Sequence, residues 1–191
     1  QNVELMGGRL DVAGEPGKGS VFYCEIPTTV LAAGALPVEN ALRRVTGLAP
    51  GQPVRRLLIA EDQPENRLLL HRLLEPLGFE VCDAVNGREA VALAGEWQPA
   101  LIWMDIRMPV MDGKEATRRI RATAHGARVK IVALTAHALE EERREILAAG
   151  CDDCLCKPCR ATEIFDALEK HLGVRFVRGG ELSQGAGSQA I

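Results

Sequence analysis

The chain carries no excess of positive charge: 23 Lys and Arg stand against 26 Asp and Glu over 191 residues, a formal charge of −3. No dense Lys/Arg stripe breaks that balance, so nothing here has the electrostatic footprint of a nucleic-acid binder. Long apolar runs are missing too. The longest weakly polar stretch, TTVLAAGALPV at 28–38, falls short of the roughly 20 residues a bilayer span needs and contains Pro37. No direct membrane contact is expected of it. A secretory leader is not visible either, because the first residues hold Glu4 and Gly7-Gly8 rather than a basic start and an apolar stretch. Six cysteines without an export signal point to reduced thiols in a cytoplasm. The chain begins at Gln1, so it is expected to be a piece of a longer protein, and that parent could be membrane-anchored.

What is present is a soluble globular composition, 47% hydrophobic and 26% charged, with length for one full domain and some leftovers. The leftovers sit at the ends. Residues 1–27 read as a helix end, a short strand, the turn EPGKG and a second strand, SVFYCEI. A lone hairpin buries too little to stand by itself, so it should pack on something or fray. Residues 28–54, rich in Ala, Gly, Pro and Val, read as a linker with one helical turn around PVENALRRVTG. From 174 onward the chain drifts into GGELSQGAGSQAI, the composition of a disordered tail.

Between 55 and 173 the pattern alternates. RRLLIA, FEVCDA, ALIWMD, VKIVALT and CDDCLCKP have strand length, and helical segments beginning at PENRLLLHRLLEPLG and ending at ATEIFDALEKHL separate and follow them. Five strands alternating with five helices imply an α/β fold: a (βα)5 doubly wound parallel sheet of flavodoxin-like order 2-1-3-4-5, with right-handed crossovers. Such sheets bind ligands at the carboxyl ends of their strands. Strand one ends in Glu61-Asp62, strand three in Asp105, strand four in Thr135 and strand five in Lys157. Each has a plain structural reading. Asp62 and Thr135 could cap the helices that follow, Asp105 could start the turn MPVMDG, and Lys157 could be a solvated charge. All of them falling at the expected strand ends makes coincidence a poor explanation. Clustered carboxylates repel, and Mg2+ relieves that with oxygen ligands while leaving room for phosphate oxygens. Phosphoryl transfer needs mainly positioning and charge compensation. Asp105 would be the nucleophile, while Lys157 and Thr135 would hold phosphoryl oxygens.

The motifs ED at 61–62, MDIRMPVMDG at 104–113, LTAHA at 134–138 and KP at 157–158 resemble, in order and spacing, the receiver domains of two-component response regulators. The resemblance covers about 55–173. It implies phosphorylation of Asp105 by a phosphohistidine, with Glu61, Asp62, Asp105 and the backbone carbonyl of Arg107 around Mg2+. It also implies a cis Lys157-Pro158 peptide. Two positions depart from the family. The aromatic three places before the lysine, which turns inward on activation, is Cys154, so the usual coupling to Thr135 lacks its rotor. Arg107, two places after the acceptor, is expected with His137 to shield or position the hydrolytic water. Residues 1–27 resemble the carboxyl-terminal end of a histidine-kinase ATP-binding domain. The parent implied is a hybrid sensor histidine kinase, its receiver fed by the kinase core in cis, by a histidine phosphotransfer domain, or by both. GKGS is no P-loop, since G-x-x-x-x-G-K-[ST] is absent and no helix follows, so ATP-dependent phosphorylation is not expected of this chain.

Two other functions fit less well. A receiver-like interaction module binding a partner around Cys154 would leave the acidic set idle. An unrelated Mg2+-dependent phosphohydrolase lacks an acid/base aspartate two places after Asp105. Four cysteines in CDDCLCKPC remain to be explained. An extended strand would spread Cys151 and Cys159 about 26 Å apart, too far for one tetrahedral zinc site. The expectation is therefore small buried thiols around a functional lysine, not a metal knot or redox centre.

Overall fold

The computed structural model of the chain describes residue 3 and residues 7–15, 17–28, 45–136 and 139–179, in two compact units, Gln1–Asn40 and Ala41–Ile191. The first unit is the expected hairpin: β1 (Arg9–Glu15) pairs antiparallel with β2 (Gly19–Glu25), from Arg9 opposite Glu25 to Glu15 opposite Gly19. Every residue of both strands is exposed. The expected helix end before Gly7 lies almost wholly outside the described residues, as do the helical turn near 37–44 and the tail from 180.

The second unit contains the five-stranded parallel sheet. Its strands are β4 (Arg56–Ala60), β5 (Glu80–Ala84), β6 (Leu101–Asp105), β7 (Lys130–Thr135) and β8 (Asp153–Cys156), in the order β5-β4-β6-β7-β8. That is the 2-1-3-4-5 order read from the sequence. Helices α1 (Pro64–Leu74), α2 (Gly87–Trp97), α3 (Gly113–Arg121), α4 (Glu140–Ala148) and α5 (Ala161–Leu172) follow the strands in turn. The period of two along each strand sends alternate side chains to opposite faces. Leu58, Ala60, Ile102, Met104, Ile131 and Ala133 pack with Ala90, Ala94, Ala116, Ile120 and Ile146 of α2, α3 and α4. Leu57, Ile59, Leu101, Trp103, Val132 and Leu134 pack with Leu70, Leu74, Ile164 and Leu168 of α1 and α5. Both faces are covered, which is why the strands read as continuous apolar runs.

Helix ends follow local chemistry. Asn86 and Asp112 cap α2 and α3 by accepting from the backbone N–H of Glu89 and Glu115, at 3.0 and 2.8 Å. α1 begins at Pro64 and runs into a 3-10 turn, Glu75–Leu77, that stops at Gly78 in the left-handed region (φ 99°).

The ends of this unit differ from expectation. Residues within the expected linker form β3 (Val45–Leu48), which pairs antiparallel with β9 (Phe176–Arg178) from the expected tail. The reason is apolar burial beyond the (βα)5 repeat. Phe176 packs its ring 5.2 Å from that of Phe165 and 6.4 Å from that of Phe79, and Val174 is buried beside them. Strands of four and three residues carry too little periodicity to be read from sequence.

Candidate functional site: an acidic cluster with a lysine at the strand ends

Parallel pairing of β4 with β6, β6 with β7 and β7 with β8 brings their carboxyl ends to one edge of the sheet. Glu61 and Asp62 follow β4, Asp105 ends β6, Thr135 ends β7 and Lys157 follows β8. The side chains meet. Lys157 Nζ lies 2.6 Å from Glu61 Oε2 and 2.9 Å from Asp105 Oδ2. One carboxylate oxygen from each of Glu61, Asp62 and Asp105 lies within 4.8 Å of the others. Glu61 is fully buried and Asp105 nearly so, while Asp62 is half-buried.

Each group is held by its neighbours. Glu61 Oε1 accepts from the Asn66 side chain at 3.1 Å and from the Gln63 backbone N–H at 3.2 Å, so both carboxylate oxygens are used. Arg67 ties down the loop by donating to the carbonyls of Glu61 and Asp62 at 2.7 and 2.9 Å. Asp105 Oδ1 accepts from the Arg107 backbone N–H at 3.1 Å. Burial alone would lower the pKa of Lys157, but its hydrogen bonds and charge pairing with Glu61 and Asp105 outweigh that and hold the ammonium above its ordinary value. Lys157 is charged wherever the protein is folded and neutral pH prevails.

The capping readings fail for Asp62 and Thr135. Asp62 does not cap α1, whose N-cap is Gln63 without a side-chain bond; Asp62 Oδ2 instead accepts from the Gln63 amide at 3.0 Å. Thr135 is buried and lies well before the N-cap of α4, Leu139. Its carbonyl accepts from the Lys157 backbone N–H at 2.7 Å, fixing the lysine's strand end against β7. The Lys157-Pro158 peptide is cis. His137 lies outside the described residues. Cys154, at the position of the family's aromatic, is buried in the core beside Cys151, opposite Ala133 of β7. Its side chain is itself almost wholly buried.

Two supports were not foreseen. Asn66 sits one turn into α1, too far from Glu61 in sequence for a motif to flag it. Gly113 opens α3 where an added Cβ would collide with the Asp105 carbonyl oxygen, and its N–H donates to the Ile106 carbonyl at 3.0 Å. The glycine that ends MPVMDG thereby allows the loop to close under Asp105.

The donor set suits a hard divalent cation: three carboxylates, no thiolate and no imidazole, with charge exceeding what one ammonium offsets. Among the described residues it is the group of three close metal-binding side chains; the cysteines of 151–159 do not form one.

A family model for the response regulator receiver domain matches residues 57–169. The sensor protein EvgS of Escherichia coli K12 is 34% identical over 171 residues, 89% of this chain and 13% of that protein. The chain spans 13 to 16% of the length of the first sensor proteins it matches. The receiver domain of the sensor histidine kinase PA1611 from Pseudomonas aeruginosa PAO1 has a magnesium ion coordinated in its active-site cleft. It is 40% identical, with a TM-score of 0.60 over 63% of this chain and 99% of that one. A receiver domain co-crystallised with the histidine phosphotransfer protein Ypd1, that of Ssk1 from Saccharomyces cerevisiae, is the context of another match, 32% identical with a TM-score of 0.58 over 62% and 89% of the two chains. With more than half of its residues matched by that model, and the acidic cluster and lysine at the strand ends of the expected sheet, the chain belongs to the response regulator receiver domain family of two-component systems.

Proposed function

We propose that this receiver accepts a phosphoryl group from a phosphohistidine onto Asp105. The observation that carries the reading is the approach of Lys157 Nζ to Asp105 Oδ2, 2.9 Å, inside a trio of carboxylates. A carboxylate that attacks phosphorus needs its own charge and that of the incoming oxygens offset. Asp105 Oδ2 forms the P–O bond as the P–N bond to the donor imidazole breaks. Lys157 holds a phosphoryl oxygen on one side, and Thr135 holds another. Glu61, Asp62, Asp105 and the backbone carbonyl of Arg107 would hold Mg2+, which when bound supplies electrostatic neutralisation of the phosphoryl oxygens.

The donor surface is a groove between α1 and α5, lined by Leu69, Leu73, Ile164 and Cys159 and reaching Glu61 and Lys157. Leu69, in that lining, is 64% exposed. An apolar rim next to a charged acceptor suits a helical partner that presents one histidine, either the kinase core in cis or a histidine phosphotransfer domain. The parent is a hybrid sensor histidine kinase, of which the hairpin at 1–27 is the end of the ATP-binding domain, 28–54 the connection and 55–173 the receiver; tethering would raise the effective concentration of acceptor near donor.

The test is labelling with acetyl phosphate, with and without Mg2+, read by intact mass. Gain of one phosphoryl group that requires Mg2+ and vanishes in Asp105→Asn is expected. Undiminished labelling of Asp105→Asn would place the acceptor elsewhere.

A further inference from the structure

The cysteines of CDDCLCKPC divide into two kinds. Cys151 and Cys154 are buried in the core on the α2–α4 face of the sheet, where Cys151 Sγ lies 3.6 Å from the Thr117 hydroxyl. Cys156 and Cys159 are not core thiols. Extended backbone ends at Cys156, and the chain turns through Lys157 and Pro158 rather than running on as a strand. Cys156 is exposed. Cys159 is half-buried at the other side of the sheet, packed against the α1–α5 core and lining the groove that Lys157 and Glu61 also line. The turn sets each sulfur against a neighbouring carbonyl within residues 156–157: Cys156 Sγ lies 3.6 Å from the Lys157 carbonyl oxygen, and Cys159 Sγ lies 3.4 Å from the Cys156 carbonyl oxygen. This is a Cys-X-X-Cys pair in a turn, and the residue it encloses is the lysine that contacts the acceptor.

We propose that Cys156 and Cys159 are an oxidation site for peroxides, closing to a disulfide that lowers phosphoryl acceptance at Asp105. The second half rests on the function proposed above; the first does not. The two thiols are suited to different steps. Burial, then the charge of Glu163, pushes the Cys159 thiol up to about 11, so it stays protonated, whereas Cys156 is open to solvent and is the sulfur a peroxide reaches first. Cys156 gives up its thiol proton and the thiolate attacks a hydrogen peroxide oxygen. The O–O bond breaks, the leaving hydroxide takes up that proton as one water, and Cys156 becomes a sulfenic acid. Cys159 sulfur then attacks Cys156 sulfur as the S–O bond breaks, its proton leaving with the oxygen as a second water. Two thiols lose two electrons and two protons, and the peroxide is reduced to water. A cytoplasmic disulfide of this kind is transient, reversed by a dithiol reductant.

Closure has to move Lys157. A disulfide sets its sulfurs about 2.05 Å apart. Each sulfur must leave its carbonyl contact, and the backbone of Lys157 lies inside the ring that forms. Its ammonium now sits 2.6 and 2.9 Å from Glu61 and Asp105, and displacement of a positioning group by about 1 Å can cost up to 100-fold in rate.

The full chain is treated with hydrogen peroxide, free thiols are blocked with N-ethylmaleimide, disulfides are reduced with dithiothreitol and the released thiols are tagged with iodoacetamide. Mass spectrometry should place the tag on Cys156 and Cys159 and leave Cys151 and Cys154 blocked by maleimide or untouched. Tagging of other pairs, or of none, overturns the oxidation site. In parallel, acetyl-phosphate labelling of Asp105 in the oxidised protein should fall about tenfold or more and return on reduction. Cys156→Ser, at a residue outside the groove, should label at the reduced wild-type rate and keep that rate after peroxide. A disulfide at 156–159 that leaves labelling unchanged overturns the coupling to Asp105. Failure of the reduced wild type to label would count against the acceptor function alone, because the tag at Cys156 and Cys159 is read without it.

Discussion

Lys157 Nζ stands 2.6 Å from the fully buried carboxylate of Glu61, a residue 96 positions earlier in the chain, while also reaching Asp105. One ammonium thus serves two acids. It stabilises a buried charge in the resting fold and, in the proposed function, would hold a phosphoryl oxygen.

Lys157→Ala should therefore damage both. Breaking a buried pair leaves an uncompensated charge, and about 3 kcal/mol of stability should be lost in urea unfolding. Acetyl-phosphate labelling of Asp105 should slow about 100-fold, as expected when a preorganised charge donor is removed. Lys157→Ala combined with Glu61→Gln should recover part of the stability but not the labelling rate. Recovery of both would show that Lys157 acts only as a structural counter-ion.

Metal should act through Asp62 more than through the fold. Asp62 is half-buried and, among the described residues, its side chain bonds only to the Gln63 amide, so Asp62→Ala should fold with stability within about 0.5 kcal/mol of the parent. Added Mg2+ should raise the melting temperature of the wild type by mass action and leave that of Asp62→Ala unchanged. An equal rise in both proteins would remove Asp62 from the metal site.

Gly113→Ala should unfold the loop beneath Asp105. The added Cβ meets the Asp105 carbonyl oxygen, a backbone atom that cannot step aside, and about 3 kcal/mol or more should be lost in chemical denaturation. Gly95→Ala, in the middle of α2 with open space around its Cα, is the control and should be neutral to stabilising.

Acid should act through Asp153. Burial tends to raise its pKa, but hydrogen bonds from Lys170, His171 and the Cys154 backbone N–H, with the charge of Lys170, bring it down to about 2. Arg143 lies 3.6 Å away as a further cation. The folded-state value is below the unfolded one, near 3.8, so this carboxylate stabilises above that value and stops doing so as pH falls through 2. Asp153→Asn should be less stable than wild type at pH 7, and the gap should narrow on thermal unfolding between about pH 4 and pH 2. A gap independent of pH would assign the loss to packing.

Much of this was legible in one dimension. The apolar runs at 57–60, 101–104 and 131–134 read as strands because burial on both faces leaves no polar alternation, and their order of ends placed Glu61, Asp62, Asp105, Thr135 and Lys157 together before any coordinates. The short ladder of β3 and β9 was not legible, because three or four residues carry no period and its stability comes from Phe176 against Phe79 and Phe165. Asn66 escaped for a similar reason: an exposed-looking amide on α1 becomes a ligand of Glu61 only when the loop from 61 to 63 folds back. A strand running through Cys159 would spread the cysteines apart, but the strand ends at Cys156 and the turn after it decides which groups the sulfurs of Cys156 and Cys159 meet.

By itself the sequence determined the repeat, the sheet order and the residue types at the strand ends, because period and charge are properties of neighbours along the chain. Only the tertiary structure decided which acid Lys157 grips, what closes beneath Asp105 and where the thiols at 156 and 159 face. Those depend on crossovers and turns that bring together groups far apart in sequence or redirect groups close in it, and no local pattern encodes the final few ångströms.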